Sequence, residues 1–362
     1  MRAAVFHGRE DIRIENLPEP TPGAGEVLLE VHAAGICGTD AGEYGYGPKL
    51  FPIHQAHPIT GHQGPMVPGH EFAGRVVAVG VGVESLAAGT LVASGAGSSC
   101  GVCNRCREGR TSLCARYWTV GLQRNGALAQ FCTVPASICL DVAPYGLTED
   151  AAALSQPMAI AVHAMRRGRP RPGDVALVVG AGGIGAFLTF ALSHTGVEVV
   201  VVEQSAERRT LAEKLGAKVA LDPATAAEEQ ARLSMEPRVC YEVTGSAAGL
   251  ELAGRAVPNG GRLVIVGLQE RPQPLDLRSV ALKELTIYGT NAHTFTADMP
   301  EALRLLAVGA DIWSRVAPAA LPLEDLVPQG LVPMLGGRSP RIKTLIDPWS
   351  IAARPTRMSR GS

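Results

Sequence analysis

The sequence lacks the features that recruit a protein to nucleic acid or to a membrane. Its 33 basic and 34 acidic residues leave a formal net charge of −1, so no strong field of either sign is available. No stretch reaches about 18 uninterrupted apolar residues, and the first ten residues contain no apolar signal core. We therefore expect no nucleic-acid partner, no membrane span and a cytoplasmic location.

Disulfide bonds are also not expected. In a cytoplasmic chain, the eight cysteines are more readily explained as thiols or metal ligands. The length of 362 residues exceeds what one hydrophobic core usually serves, which predicts two domains. The 42 glycines and 26 prolines favour strands joined by tight turns over a mainly helical protein.

The hydrophobic pattern changes character near residue 150. Before that point the chain reads as strands and turns, with apolar strands at residues 26–34 and 72–79. A helix is expected at 151–165, and from Gly173 strands alternate with helices. The predicted strands of this second part are residues 175–179, 197–202, 218–221, 239–243, 262–266 and 286–289. Such alternation predicts βαβ units and a parallel sheet. After about Gly289 the pattern is irregular, with one helix near 300–308, and residues 354–362 are expected to form a mobile basic end.

A glycine-rich turn follows the strand at 175–179 and precedes a helix. Gly180 would form the tight turn, Gly182 would allow close approach of a pyrophosphate, and Gly185 would let the helix pack on the strand. The free N–H groups at the start of the helix favour phosphate. The candidate cofactor-binding residues of this turn are Gly180, Gly182, Gly183, Ile184 and Gly185.

An acidic residue stands at the spacing that dinucleotide-binding turns require. Glu203 ends the next strand, about 20 residues on, and can accept hydrogen bonds from the adenosine ribose. A carboxylate there repels a 2′-phosphate, so NAD is favoured over NADP. Arg208, which we include in the cofactor site, and Arg209 follow closely and leave NADP open.

Four cysteines lie close together in a segment rich in Gly, Ser and Arg. Cys100, Cys103, Cys106 and Cys114 can supply four thiolates to one tetrahedral zinc, and the segment has too few apolar residues to fold unaided. Because the protein supplies every ligand, this zinc would be structural. An iron–sulfur cluster or a nucleic-acid-binding knuckle uses similar residues, but the near-neutral charge and the enzyme-like remainder of the chain disfavour both. The other cysteines in apolar runs, Cys132, Cys139 and Cys240, are interpreted as buried thiols.

A second set of metal-ligating residues is spread over two strand ends. Cys37 follows one apolar strand, and His70 and Glu71 precede another. A catalytic zinc takes about three protein ligands and keeps one position open. Alone, each residue is better explained as a core thiol or a strand-end histidine. Beside the four-cysteine segment and the glycine turn, Cys37, His70 and a carboxylate together predict a catalytic zinc, which brings the expected total to two zinc ions per chain.

These motifs resemble the zinc-binding medium-chain dehydrogenase/reductase superfamily, and most of all its butanediol, sorbitol and threonine dehydrogenase branch. The similar segments are residues 3–13, 35–40, 69–72, the four-cysteine lobe, 161–164, the glycine turn and 322–327. The resemblance implies an α/β plus β-rich fold, in which a doubly wound parallel Rossmann domain is inserted into a GroES-like catalytic domain. The expected boundaries are 1–154 for the catalytic domain with its lobe at about 95–115, 155–290 for the Rossmann domain, and 291–362 for the return. It also implies an active site between the domains and a homodimer or homotetramer.

The resemblance assigns roles at the catalytic zinc. Cys37 and His70 match zinc ligands, and Glu71 matches a carboxylate that binds or supports the metal. Thr39 matches the hydroxyl that contacts the substrate oxygen, and Asp40 matches the acid that orients the ligating histidine.

Two positions depart from the branch. Gln156 stands where its members have a glutamate, which removes one negative charge from the zinc site; this would strengthen the Lewis acid or weaken zinc affinity. Gly42 stands at the position of a histidine that passes the proton to solvent. Glu43, His54, His57 or water could replace that histidine, and the sequence does not choose among them.

The resulting interpretation is an NAD-dependent zinc alcohol or polyol dehydrogenase. It would reversibly oxidise a secondary alcohol in a small molecule, such as a vicinal diol, polyol or cyclitol, to a ketone. One alternative is a related dehydrogenase whose altered active site serves a dedicated biosynthetic substrate, such as a sugar or aminocyclitol intermediate. Another is a degenerate NAD-binding protein without turnover.

Overall fold

The computed structural model describes residues 1–233, 235–337 and 339–359. The chain divides into two compact units. The discontinuous unit comprises Met1–Ala159 together with the chain from His293 onward, and the inserted unit comprises Ile160–Ala292. No helix among the described residues combines the length and the apolar character needed to cross a bilayer.

The strands and helices run in the following order. The first part contains β1 (Arg2–Gly8), β2 (Asp11–Asn16), β3 (Glu26–Gly35), α1 (Gly38–Tyr46), β4 (Glu71–Val79), β5 (Leu91–Ser94), β6 (Gly97–Ser98), α2 (Asn104–Arg107), β7 (Trp118–Thr119), β8 (Phe131–Pro135), β9 (Cys139–Asp141), α3 (Glu149–Ala152) and α4 (Ser155–Gly168). The inserted unit continues with β10 (Val175–Val179), α5 (Gly183–Ser193), β11 (Glu198–Val202), α6 (Ala206–Lys214), β12 (Val219–Leu221), α7 (Ala226–Arg232), β13 (Val239–Glu242), α8 (Ala247–Ala256), β14 (Arg262–Ile265), α9 (Leu277–Leu282) and β15 (Thr286–Gly289). The return segment contains α10 (Phe295–Val308), α11 (Ala310–Val316), β16 (Ala319–Leu321), α12 (Val332–Leu335), β17 (Leu345–Ile346) and β18 (Arg354–Pro355).

The discontinuous unit is organised around β3. This long, largely buried strand pairs antiparallel with β4, β8 and β17. The main sheet has the order β18-β16-β17-β3-β4-β5-β9, so strands of the return segment lie beside strands of the first part. Its apolar side chains, among them Val27, Leu29 and Phe72, form a hydrophobic core of the unit.

The inserted unit is a doubly wound parallel sheet. Its six strands have the order β12-β11-β10-β13-β14-β15, which places β10 next to the point where the winding direction changes. All six strands predicted from the alternating pattern are confirmed. The helices α7, α8 and α9 were not predicted, although Ser246 caps α8 by accepting a hydrogen bond from the backbone N–H of Gly249.

Two other predictions about local structure need correction. The helix expected at 151–165 is broken into α3 and α4, with a turn between them. The expected mobile basic end is wrong for Arg354, whose guanidinium binds Asp150 through Nη1 at 2.7 Å and Asp347 through Nε at 2.7 Å. The planar guanidinium satisfies both carboxylates and fixes β18 against β16. Residues 360–362 of the predicted end lie outside the described residues.

Candidate active site

The pairing of β3 with β4 brings the second set of metal-ligating residues together. Gly35 at the end of β3 lies opposite Glu71 at the start of β4. Cys37 follows Gly35 by two residues, and His70 precedes Glu71, so the three side chains converge. Their ligand atoms all lie within 4.8 Å of one another.

Gly35 makes room for the carboxylate of this cluster. A Cβ atom at position 35 would lie 2.5 Å from Oε2 of Glu71, which is closer than real Cβ contacts allow. The carboxylate therefore occupies the space that a side chain would fill. His70 and Glu71 are both buried, whereas Cys37 is partly exposed, so the cluster has one side open to solvent.

Asp40 connects the histidine and the cysteine of the cluster. Its Oδ1 lies 3.4 Å from Nδ1 of His70, and its Oδ2 accepts a hydrogen bond of 2.8 Å from the backbone N–H of Cys37. Burial disfavours the imidazolium of His70, but the charges of Asp40 and Cys37 outweigh it and raise the pKa of His70 well above its usual value. A metal ion that binds this histidine must displace a proton.

Thr39 lies beside the cluster in the first turn of α1. Its Oγ1 is 3.9 Å from Sγ of Cys37, and the residue is only partly buried. The hydroxyl can therefore reach a small molecule bound next to the cysteine.

Lys343 is a member of this site that sequence reasoning missed. It is buried, and its Nζ lies 2.5 Å from Oε1 of Glu71 and 3.2 Å from the carbonyl oxygen of Ile36. Burial alone would lower the pKa of Lys343, but Glu71 and Cys37 outweigh it, so the pKa is raised and the lysine stays charged. The segment before β17, Arg341-Ile342-Lys343-Thr344, contains no motif that marks the lysine as part of this site.

The four-cysteine lobe is a second cluster of metal-ligating residues, and all four of its members come from one short segment. Sγ of Cys103 lies 3.5 Å from that of Cys106 and 3.8 Å from that of Cys114, which lies 3.5 Å from that of Cys100. Backbone N–H groups of Cys106 and Ala115 stabilise the Cys103 thiolate and lower its pKa to about 6. Burial and the neighbouring Cys103 raise the pKa of Cys106 to about 11.

Both clusters fit zinc. A tetrahedral ion with Zn–S bonds of about 2.3 Å holds its sulfurs about 3.8 Å apart, close to the separations in the lobe. The other cluster offers sulfur, nitrogen and oxygen ligands, the donor set of a catalytic zinc. The remaining cysteines with apolar surroundings are buried, and burial raises their pKa, that of Cys132 to about 12.

The glycine turn of the inserted unit has the predicted conformation. Gly180 has φ of +102°, which favours glycine, and a Cβ at Gly185 would lie 1.9 Å from the carbonyl oxygen of Gly180. No atom lies within 4 Å of a Cβ built at Gly182, so the space beside this residue is open. Gly183 and Ile184 begin α5 and direct its first N–H groups toward the turn.

Glu203 connects this turn to the start of α6. Its Oε2 accepts a hydrogen bond from the backbone N–H of Ala181 at 2.8 Å, and its Oε1 accepts one from Ser205 at 2.9 Å. Arg209 is bound to the carbonyl of Glu203 and to Asp222. The Arg208 side chain forms no ion pair within the part of the chain that the structure describes, so its charge is available.

Comparison with known proteins places the chain in a family. Residues 23–144 match the alcohol dehydrogenase GroES-like domain, and residues 183–308 match the zinc-binding dehydrogenase domain. The (R,R)-butanediol dehydrogenase of Bacillus subtilis is 32% identical over 355 residues, covering 96% of this chain and 100% of that protein. The chain belongs to the zinc-binding alcohol dehydrogenases.

Two further similarities extend over most of the dehydrogenase. Sorbitol dehydrogenase of Homo sapiens is 34% identical over 312 residues, covering 84% of each chain. The crystal structure of 2R,3R-butanediol dehydrogenase from Bacillus subtilis has a TM-score of 0.86 at 31% identity, covering 96% of this chain and 99% of that one. The predicted superfamily, the GroES-like and Rossmann fold class, the enzyme class and the zinc and nicotinamide cofactors are thus confirmed.

The structure also limits what replaces the histidine missing from this dehydrogenase. Open space surrounds Gly42, with no atom within 4 Å of a Cβ built there. Glu43 is buried, and its carboxylate accepts the backbone N–H groups of Lys49, Leu50 and Phe51, so it holds that loop in place. His54 is exposed and His57 partly buried. Gln156 is buried at the start of α4, and its contact with zinc stays a prediction.

Proposed function

We propose that the enzyme uses NAD to oxidise a secondary alcohol group of a small diol, polyol or cyclitol to a ketone, reversibly, at the Cys37–His70–Glu71 cluster. The observation that supports this most is the convergence of these three ligands beside the Thr39 hydroxyl. The family relationship supports it independently. Because Cys37, His70 and Glu71 are all present, a degenerate NAD-binding protein without turnover is disfavoured.

Each residue of the site has a distinct role in the proposed reaction. Cys37, His70 and Glu71 hold zinc, and Asp40 keeps His70 oriented through the 3.4 Å contact. When bound, zinc polarises the alcohol oxygen and NAD accepts the hydride. Thr39 accepts the alcohol proton at Oγ1 while donating its own proton onward. Lys343 offsets the charge of Glu71, and the neutral amide of Gln156 adds no charge to the site.

The proton leaves the site by water in this proposal. Glu43 is engaged with the loop that follows α1, and Gly42 supplies no side chain. Because a Cβ at Gly42 would meet no atom outside its own helix, solvent can enter there, one helical turn from Thr39. Water is therefore favoured over Glu43, which the sequence alone had left as an equal candidate.

Glu203 selects NAD in this proposal. Each carboxylate oxygen uses one lone pair for a backbone N–H, which leaves acceptors for the ribose hydroxyls. Glu203→Ala is expected to raise the KM for NAD about tenfold and to relax the rejection of NADP. Steady-state kinetics with both cofactors test this, and an unchanged ratio of kcat/KM for NAD and NADP would remove the assignment.

The diol preference follows the relatives, one named for butanediol and one for sorbitol. The test is NAD reduction, followed at 340 nm, with paired substrates that differ by one hydroxyl, such as 2,3-butanediol against 2-butanol and 1,2-cyclohexanediol against cyclohexanol. We expect kcat/KM to be at least about tenfold higher for the diol of each pair. Equal values would contradict a diol site, and absence of turnover with any alcohol would contradict the proposed function.

Self-association is proposed through the free edge of the parallel sheet. Strand β15 ends the sheet and pairs only with β14 in the described chain, and nearby α9 exposes Leu277 and Leu282 by 70% and 71%. An unpaired edge with exposed leucines favours a symmetric contact between copies, as a homodimer or part of a homotetramer. Light scattering of the double variant L277E/L282E against the wild type tests this, and an unchanged oligomer would exclude this surface.

A further inference from the structure

Glu242 is a buried carboxylate for which the catalytic proposal has no role. It is the last residue of β13, and its side chain is 0% exposed. No basic side chain forms an ion pair with it among residues 1–233, 235–337 and 339–359. A buried charge without a cation is costly, so its hydrogen bonds must provide the compensation.

The donors to Glu242 come from the loops that follow two adjacent strands. Oε1 accepts the backbone N–H groups of Thr244 at 2.7 Å and Gly245 at 3.0 Å, and the Thr244 hydroxyl at 2.5 Å. Oε2 accepts Nε2 of Gln269, in the loop after β14, at 3.2 Å. One carboxylate thereby joins the loop after β13 to the loop after β14.

These loops also contact the glycine turn. Glu242 lies opposite Val179, the residue before Gly180, and opposite Ile265 on β14. A Cβ at Gly180 would lie 2.8 Å from Cγ2 of Thr244, and a Cβ at Gly267 would lie 2.1 Å from the backbone nitrogen of Gly245. The three loops are therefore closely packed, at the strand ends where dinucleotides bind in this topology.

We propose that Glu242 is a positioning residue for the nicotinamide half of the cofactor. This inference rests on the proposed function. The two sides of the doubly wound sheet each bind one mononucleotide, and Glu203 lies on the adenosine side. The loops after β13 and β14 belong to the other side. Glu242 is too deeply buried to contact the cofactor, so it acts by fixing the backbone of these loops.

Glu242→Met and Glu242→Gln separate hydrogen bonding from packing. Methionine keeps the volume but accepts none of the four bonds. The glutamine oxygen can accept the three bonds that Oε1 receives, and its amide can donate to Gln269 after that amide rotates. Binding of NADH and of ADP-ribose, which lacks the nicotinamide, is measured by calorimetry without turnover. In Glu242→Met, the Kd for NADH is expected to rise about tenfold and that for ADP-ribose at most about twofold. Glu242→Gln should restore both values.

Matched variants show whether the effect is specific to this side of the sheet. Glu203→Met should weaken NADH and ADP-ribose equally, because both contain the adenosine ribose. Glu251→Gln, on the exposed surface of α8, should change neither. Equal weakening of both ligands by Glu242→Met, or no weakening, would overturn the inference.

A milder variant keeps the test decisive if Glu242→Met does not fold. Gln269→Leu removes only the bond from the β14 loop, and it should raise the Kd for NADH about threefold while leaving ADP-ribose unchanged. An unchanged Kd for NADH in this variant would then reject the inference. If the wild type binds neither NADH nor ADP-ribose, the proposed function itself fails. That result differs from an unchanged Kd for NADH in a variant, which rejects only the role of Glu242.

Discussion

The two clusters of metal-ligating residues are built in opposite ways. The four-cysteine lobe takes all its ligands from Cys100–Cys114, and its sulfurs are largely outside the hydrophobic core. The Cys37–His70–Glu71 cluster takes its ligands from two strands and its charge partner, Lys343, from near the end of the chain. The first has four like ligands, and the second combines sulfur, nitrogen and oxygen with a buried ion pair.

This difference indicates different purposes for the metal. In the lobe, zinc would replace a hydrophobic core, and closed coordination by four thiolates would leave no place for a substrate. In the other cluster, the sheet holds the ligands whether or not metal is bound, and the open side next to Thr39 leaves room for an alcohol. Removing a ligand should therefore cost folding at the first site and chemistry at the second.

The largest expected effect is on turnover. Cys37→Ser should reduce kcat/KM by about a thousandfold or more, because the loss of zinc polarisation costs several kcal/mol in the transition state. Circular dichroism and the melting temperature should remain close to the wild type. Cys240→Ala, which changes a buried thiol outside both clusters, is the control and should keep its activity. An active Cys37→Ser enzyme would remove the cluster from the mechanism.

Cys103→Ser should instead reduce the amount of folded protein. With one thiolate missing, the lobe loses most of its zinc affinity, and we expect the melting temperature to fall by about 10 °C. Thermal unfolding and soluble yield measure this, with Ser112→Ala in the same segment as control. A stable, fully active Cys103→Ser protein would contradict the structural role.

Lys343→Met tests the buried ion pair that distinguishes the second cluster. The change leaves the Glu71 carboxylate without its cation and should lower the free energy of unfolding by about 3 kcal/mol. Turnover should fall by about tenfold to a hundredfold, because Glu71 supports the metal. Lys343→Arg should recover part of both losses. Denaturant unfolding and steady-state kinetics are measured on the same samples. If turnover per folded molecule is unchanged in Lys343→Met, the lysine has only a structural role.

Gln156→Glu should have the smallest effect. A carboxylate at this position would add one negative charge near the zinc, which weakens its polarisation of the alcohol and moves the pH dependence of kcat to higher pH. We expect zinc to stay bound and kcat at neutral pH to fall by roughly tenfold. Loss of metal, measured by elemental analysis, would mean that the glutamine serves a different purpose.

The elements that were predictable from sequence are those encoded locally. The strands of the inserted unit, the glycine turn and the spacing of the lobe cysteines all lie within short segments, where periodicity and spacing are visible. The helices α7 and α8 were missed because they are short and most of their apolar residues are alanines, which mark a buried helix face only weakly. The C-terminal end looked free because its arginines are charged, and only the folded sheet brings Asp150 and Asp347 to Arg354.

The catalytic cluster was only partly predictable for the same reason. Cys37 and His70 stand at strand ends that motifs mark, but Lys343 is 272 residues from its partner Glu71. Glu43 appeared as available for proton transfer as His57, because its hydrogen bonds to the following loop depend on how that loop folds back. Gln269 and Glu242 meet across two loops for which the sequence has no motif.

The most direct test of two zinc sites with separate purposes is zinc content per chain, measured by elemental mass spectrometry on the wild type and on Cys37→Ser. We expect about two zinc ions per wild-type chain and about one in the variant, with the remaining ion in the lobe. One zinc in the wild type and an unchanged value in Cys37→Ser would show that the Cys37–His70–Glu71 cluster holds no metal, which would contradict the proposed mechanism.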